Sequence, residues 1–147
     1  MKTLMTSLTI CSILLLSCTN QKKEILEGIW DMQYSEWKDQ DSVVFLFQKG
    51  DLTCQMKAFS KEHYCWIQQN PANDTTSLGF TSGGGGSYKV TGDTITELVE
   101  MSPWKYDIGR SYTSTFKIQG DSLIQTFLEY TDEYGNWSGI EIYKRLE

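Results

Sequence analysis

The sequence predicts an all-β domain, either a sandwich or a barrel of about nine short strands. Beyond residue 24, no segment keeps a helical period of apolar residues. The segments instead alternate apolar and polar residues, and they are rich in Val, Ile, Thr, Tyr, Phe and Trp. Turn-forming residues interrupt them at short intervals, which is typical of antiparallel all-β folds.

The predicted strands follow one another closely along the chain. The first places Trp30, Met32 and Tyr34 on one face and Asp31 and Gln33 on the other. In order, the strands span residues 28–37, 42–48, 52–59, 63–69, 87–91, 94–101, 111–118, 122–130 and 136–146. Pairing of the strands over 111–118 and 122–130 places Phe116 opposite Gln125 and leaves Ile124 and Leu128 of the second strand on the outer face. That strand therefore carries a bulge or is covered on both faces.

Two hairpins share one local sequence. YKVTGDTITE (88–97) and FKIQGDSLIQ (116–125) match position by position, and both place Gly-Asp between two strands. A two-residue loop with Gly accepts the positive φ that tight hairpins require, and Asp bonds back to the nearby backbone. We therefore predict two hairpins of the same design.

The second hairpin contains Gly-Asp-Ser-Leu, which resembles the signature of GDSL lipases and esterases. The resemblance implies Ser122 as nucleophile and a histidine near the C-terminus, but the chain ends in IEIYKRLE. His63 is the single histidine, and it precedes Ser122. A serine hydroxyl without an adjacent base is a weak nucleophile. We predict a turn at this position, no catalytic residue and no enzyme.

The N-terminal segment predicts export. Lys2 precedes an almost uncharged run that is too short for a stable membrane span and is typical of a signal peptide. Leu15-Leu16-Ser17-Cys18 resembles a bacterial lipobox, which implies acylation of Cys18. We expect a lipoprotein signal over 1–17, the lipidated Cys18 and a tether over 18–25, and one domain over 26–147. The protein would then sit in the cell envelope, at the outer membrane, on a side that the sequence leaves open.

Composition excludes several classes of function. The net charge is −6, so the chain is a poor nucleic-acid binder. One His and two well-separated Cys in the domain do not predict a metal site, and no cofactor is expected. The run TSGGGGS (81–87) lacks the Lys and the helix of a phosphate loop, and it predicts a bent or closely approached entry into a strand. Five carboxylates could supply a functional pair, but most fall on alternating polar faces or in turns, so solvated surface is favoured: Glu97, Glu100, Glu129, Glu133 and Glu141.

Cys54 and Cys65 lie in an exported chain where a disulfide is allowed. They would face one another if the hairpin turned between Phe59 and Ser60, whereas the better turn formers lie one or two residues later. The disulfide therefore stays open at this point, because bridging demands opposed Cβ atoms.

Gly28-Ile29-Trp30 opens the first strand, and an all-β meander follows. This pattern resembles the lipocalin and wider calycin group. The segments 57–68 and 82–97 and the ending EIYKRL resemble small lipocalin-like lipoproteins common in Bacteroidota. The resemblance implies a single antiparallel up-and-down β-barrel of about eight to nine strands. It also implies that Trp30 packs at the closed end against Arg145.

In such a barrel, function would reside in the lumen. The aromatic residues expected there by alternation are Trp30, Tyr34, Phe45, Phe47, Trp66, Tyr88, Phe116, Phe127 and Tyr143. They would either line a pocket for a small hydrophobic or aromatic ligand or fill the core. The sequence therefore favours a membrane-anchored ligand-binding lipoprotein, with a filled-barrel structural or interaction module as the alternative and an esterase as the third hypothesis. It names no ligand and no oligomeric state.

Overall fold

The computed structural model describes residues 26–40, 42–49, 54–69, 81–132 and 135–146. Within these ranges the chain forms nine strands and one short 3₁₀ helix, Lys105–Asp107. The strands are β1 (Gly28–Asp39), β2 (Ser42–Gln48), β3 (Cys54–Phe59), β4 (His63–Gln69), β5 (Thr81–Thr91), β6 (Thr94–Met101), β7 (Ser111–Gln119), β8 (Ser122–Asp132) and β9 (Gly135–Arg145).

Eight of the strands close into an antiparallel up-and-down barrel. Neighbours from β3 to β9 pair in sequence order, and β1 closes the barrel by pairing with β3 on one side and β9 on the other. The ninth strand, β2, pairs with the second half of β1, from Tyr34 to Asp39. The predicted all-β barrel is therefore confirmed, and it is compatible with a lipocalin-like fold.

Both Gly-Asp hairpins have the predicted two-residue loop. Thr91 pairs with Thr94, and Gln119 pairs with Ser122. Gly92 and Gly120 adopt φ of 65° and 62°, a region that glycine enters without a Cβ penalty.

The glycine run lies inside a strand instead of before one, because β5 begins at Thr81. The register with β6 shifts between Gly85 and Gly86, and these glycines closely approach the backbones of both neighbouring strands, β4 and β6. A Cβ on Gly86 would lie 1.9 Å from the Leu98 carbonyl oxygen, and one on Gly85 would lie 2.3 Å from the Tyr64 carbonyl oxygen. Only residues without a side chain allow the strands to approach this closely.

A bulge in β1 corrects one sequence expectation. Met32 pairs with Tyr143 and Tyr34 with the next residue of β9, Ile142, so Gln33 is the extra residue. The bulge reverses the alternation, so Ser35 is buried and Tyr34 turns away from the lumen. Tyr34 instead donates a hydrogen bond to Glu36 Oε2 at 2.8 Å. It is not a lumen residue.

The apolar core fills the end of the barrel where β1 begins and β9 ends. Trp30 is fully buried there, and its indole nitrogen donates to the Leu26 carbonyl at 2.8 Å. The Arg145 guanidinium lies 4.3 Å from the Trp30 ring centroid and donates to the Glu27 carbonyl. This cation–π contact and hydrogen bond join the first strand to the last at the closed end.

The β3–β4 hairpin turns at Ser60–Glu62, where the stronger turn formers lie. Cys65 therefore pairs with Ala58, and Cys54 pairs with Gln69. Four residues of strand separate Ala58 from Cys54, about 13 Å at the usual rise. The Cys65 thiol is free and exposed. The structure thus lacks the Cys54–Cys65 disulfide that the sequence left open, because the register keeps the two residues apart.

The segments predicted to be a signal peptide (1–17) and a lipidated tether (18–25) lie outside the described residues, as does Glu133. Across the described ranges, no helix has the length and apolar character needed to cross a membrane.

Candidate functional site

A cavity of about 710 Å³ occupies the half of the barrel beyond the apolar core. This volume lies in the range of small-molecule sites. Aromatic side chains form most of its wall: Trp37, Phe45, Tyr64, Trp66, Trp104, Tyr106, Tyr112, Phe127, Tyr130 and Trp137. Lys57, Glu97 and Glu141 form the inner end of the cavity, here called the floor. Asp107 and Arg110 lie at the outer end, here called the rim, so the cavity has an apolar body and polar ends.

Lys57 is the centre of the floor and only 4% exposed. It comes from β3, where Gln55, Lys57 and Phe59 share the inward face. Its ammonium lies 2.8 Å from Glu97 Oε1 and donates to Gln125 Oε1 at 3.1 Å. Gln125 in turn donates to Glu97 and to the Ser114 hydroxyl, both at 3.2 Å. Four strands thereby contribute to one buried hydrogen-bond network.

Glu141 is the second buried carboxylate of the floor. Tyr143 donates to its Oε2 at 2.6 Å, and the Trp37 side chain also hydrogen-bonds to it. Lys57 lies 3.9 Å away, farther than from Glu97. Burial raises the pKa of Glu141 above its ordinary value, because desolvation outweighs the opposing effects of Lys57 and Tyr143. Two carboxylates therefore share one ammonium.

The phenols around the floor stay neutral. Burial raises the pKa of Tyr143 well above its ordinary value, and the Glu141 charge adds to the effect. Burial also raises the pKa of Tyr64 and of Tyr112, where a hydrogen bond to Asp107 contributes. These hydroxyls therefore remain hydrogen-bond donors at physiological pH.

Two tryptophans of the wall lie flat over glycines of the neighbouring strand. Trp37 pairs with Gly139, and a Cβ on that glycine would lie 2.6 Å from the indole ring. The same ring contacts Phe127, with centroids 4.7 Å apart. Trp66 pairs with Gly84, where a Cβ would lie 3.0 Å from the indole nitrogen. The glycines thus fix where these two rings lie.

The rim is built by the connection between β6 and β7. Trp104 stacks on Trp66 with centroids 6.1 Å apart. Asp107 accepts hydrogen bonds from the Ser102 and Tyr112 hydroxyls, at 3.1 and 2.9 Å. These contacts hold the 3₁₀ helix against the cavity.

The nine aromatic residues predicted for the lumen occupy three kinds of position: the cavity wall, the packed core and the outer face. Phe45, Trp66 and Phe127 line the cavity. Four others belong to the buried core: Trp30, Phe47, Tyr88 and Tyr143. Phe116 is half-buried against that core, and Tyr34 faces outward. The expected lumen set therefore contributes to both a pocket wall and a packed core.

The buried charged residues of the floor were not predicted from the sequence. Glu97 and Glu141 were expected on solvated surface, yet they are only 4% and 7% exposed. Alternation carried the signal: Glu97 lies between Ile95 and Val99 on the inward face of β6, and Glu141 shares the face of Tyr143. A charge in register with buried apolar residues is improbable as surface and indicates a paired interior group.

Ser122 lies at the start of β8, where its hydroxyl is 3.4 Å from the Asp121 carboxylate. His63 begins β4, four strands away around the barrel. Among the described residues, no group of three or more His, Cys, Asp or Glu side chains is placed to hold a metal ion.

The fold and the cavity define a class: an eight-stranded antiparallel β-barrel with an aromatic-walled interior site. The chain matches no protein-family model, and comparisons with curated proteins and with solved structures gave no match.

Proposed function

We propose that this protein is a lipid-anchored, lipocalin-like binding protein of the cell envelope that holds a small hydrophobic or aromatic ligand in its barrel. The single observation behind this proposal is the cavity of about 710 Å³ with aromatic walls over a polar floor. A cavity of this size accommodates a small molecule, and its few polar groups would orient one.

Lipid anchoring rests on the sequence alone, through the lipobox-like segment that ends at Cys18. Acylation at Cys18 would hold the barrel at the outer membrane by buried methylenes, each worth about 0.8 kcal/mol.

Native mass spectrometry of the full chain, purified after incubation with a lipid and metabolite extract, tests ligand binding. We expect a reproducible added mass that is lost in Trp66→Ala. Ile67→Ala is the matched control, because Ile67 is the next residue of β4 and 48% exposed. A bare protein mass across varied extracts, or equal loss in both variants, would contradict the proposal.

One observation favours the alternative, an interaction module that acts through its outer surface. Val43 and Leu46 of β2 are exposed and lie outside the described cavity lining, and β2 pairs with β1 alone among the described strands. Exposed apolar patches often mark protein contacts. Sedimentation of the full chain across a wide concentration range tests self-association, which Leu46→Lys should abolish.

A further inference from the structure

The charges that face the cavity are unbalanced. Its described lining contains three carboxylates, Glu97, Asp107 and Glu141, and two cations, Lys57 and Arg110. The difference, three minus two, leaves one carboxylate in excess when all are ionised. Glu97 and Glu141 are buried at the floor, where one unit of charge interacts more strongly with a ligand than it would in water.

The floor gives a ligand anion no free cation. Lys57 already contacts the Glu97 carboxylate at 2.8 Å and Gln125 at 3.1 Å. An anionic group brought to Lys57 would also approach Glu97 and Glu141. Repulsion between like charges in this low-dielectric setting opposes such a ligand.

Glu141 is the less compensated of the two floor carboxylates, because Lys57 lies closer to Glu97, at 2.8 Å. It has hydrogen bonds from Tyr143 and Trp37, whereas the Lys57 ammonium stays 3.9 Å away. Buried carboxylates are usually compensated by a nearby positive charge. Glu141 borders the cavity, so a ligand could supply that charge.

The walls suit the same kind of ligand. Faces of Trp and Tyr attract cations through the ring quadrupole, with Trp the strongest. Trp37 and Trp66 are held flat against glycines, so their rings are positioned before any ligand arrives.

We propose that the cavity selects an organic cation, an amine or a quaternary ammonium with an apolar or planar body, whose positive group lies against Glu141. This inference rests on the proposed ligand-binding function. The apolar body of the ligand would pack between Trp37 and Trp66. Its ammonium would lie beside Glu141, whose charge Lys57 compensates only in part.

Three probes with one ring system and different charge test this inference on the full chain at pH 7.5 by calorimetry. They are tryptamine (cation), 3-ethylindole (neutral) and indole-3-propionate (anion). We expect tryptamine to bind at least about tenfold more tightly than 3-ethylindole, and indole-3-propionate to bind most weakly. Equal affinities, or tightest binding of the anion, would overturn the inference.

Two substitutions should move cation affinity in opposite directions. Glu141→Gln should weaken tryptamine binding about tenfold and leave 3-ethylindole unchanged. Lys57→Met should strengthen tryptamine binding, because two carboxylates then lack an internal cation. Glu100→Gln is the control, since this carboxylate is exposed on β6 and bonds to the Ser87 hydroxyl. Tryptamine affinity that is unaffected by Glu141→Gln would overturn the assignment.

The probes separate failure of this inference from failure of ligand binding itself. If the neutral probe binds as well as the cation, the cavity is a binding site without the proposed charge selectivity. If none of the three binds at millimolar concentration, the cation inference is overturned, while the proposed function is still judged by the extract experiment.

Discussion

Lys57→Met should be among the most destabilising single changes in this chain. Lys57 and Glu97 are 4% and 6% exposed at their side chains, so the substitution leaves a buried carboxylate with Gln125 as its remaining described partner. Removing one member of a buried ion pair costs about 3–5 kcal/mol. For a domain of this size, about 3–5 °C of melting temperature corresponds to 1 kcal/mol, so we expect a loss of about 10–20 °C.

A double-mutant cycle with Glu97→Gln separates the cost of the unpaired Glu97 charge from the other effects of removing Lys57. Lys57→Met combined with Glu97→Gln also removes the Glu97 charge and leaves only Glu141 without its cation, so it should recover part of the lost stability. Urea unfolding at pH 7.5, followed by tryptophan fluorescence, gives the four free energies. A loss below about 1 kcal/mol in Lys57→Met, or a double variant no more stable than the single one, would refute the reasoning.

Three further predictions concern the site and the strands around it, and a fourth concerns the lipid anchor. Burial raises the pKa of Glu141 above its ordinary value, so the folded state favours the protonated side chain. That stabilisation is present at low pH and is lost as the pH rises through the folded-state pKa. Thermal melts should therefore show Glu141→Gln more stable than the unmodified protein at pH 8 and equal to it at pH 4. Gly139→Ala should push the Trp37 ring off β9 at a cost of about 1–3 kcal/mol, and a shifted tryptophan emission spectrum would report the displaced ring. Gly86→Ala should cost about 3 kcal/mol or more in urea unfolding, because its Cβ would overlap the Leu98 carbonyl, and an unchanged midpoint would contradict the close approach of β5 and β6. Cys18→Ala should move the protein from the membrane fraction to the soluble fraction, and continued sedimentation with membranes would argue against the lipid anchor.

The strands were predictable because their signals are local. The Gly-Asp pairs at 92–93 and 120–121 set both hairpin registers, and period-two alternation located the other strands closely. The start of β5 was not predictable in this way. Its glycines carry no side-chain pattern. They are required because the backbones of β4 and β6 approach closely, and those residues lie more than ten positions away in the sequence.

The site was only partly predictable. The bulge at Gln33 depends on pairing with β9, more than a hundred residues later, so alternation alone placed Tyr34 inside. Lys57 and Glu97 are 40 positions apart. Alternation indicates that Glu97 faces inward, but the sequence does not identify Lys57, on another strand, as the charge that compensates it.

Both ends of the described domain lie at the plugged end of the barrel. Leu26 packs beneath Trp30, and Arg145 of the last strand pairs with that same tryptophan. The opening lies beyond the far end of β1, where Trp37 and the rim connection stand. An affinity tag fused after β9, or attachment of either terminus to a sensor surface, should therefore leave the entrance unobstructed. Binding recorded on immobilised protein would then report the same site as binding in solution.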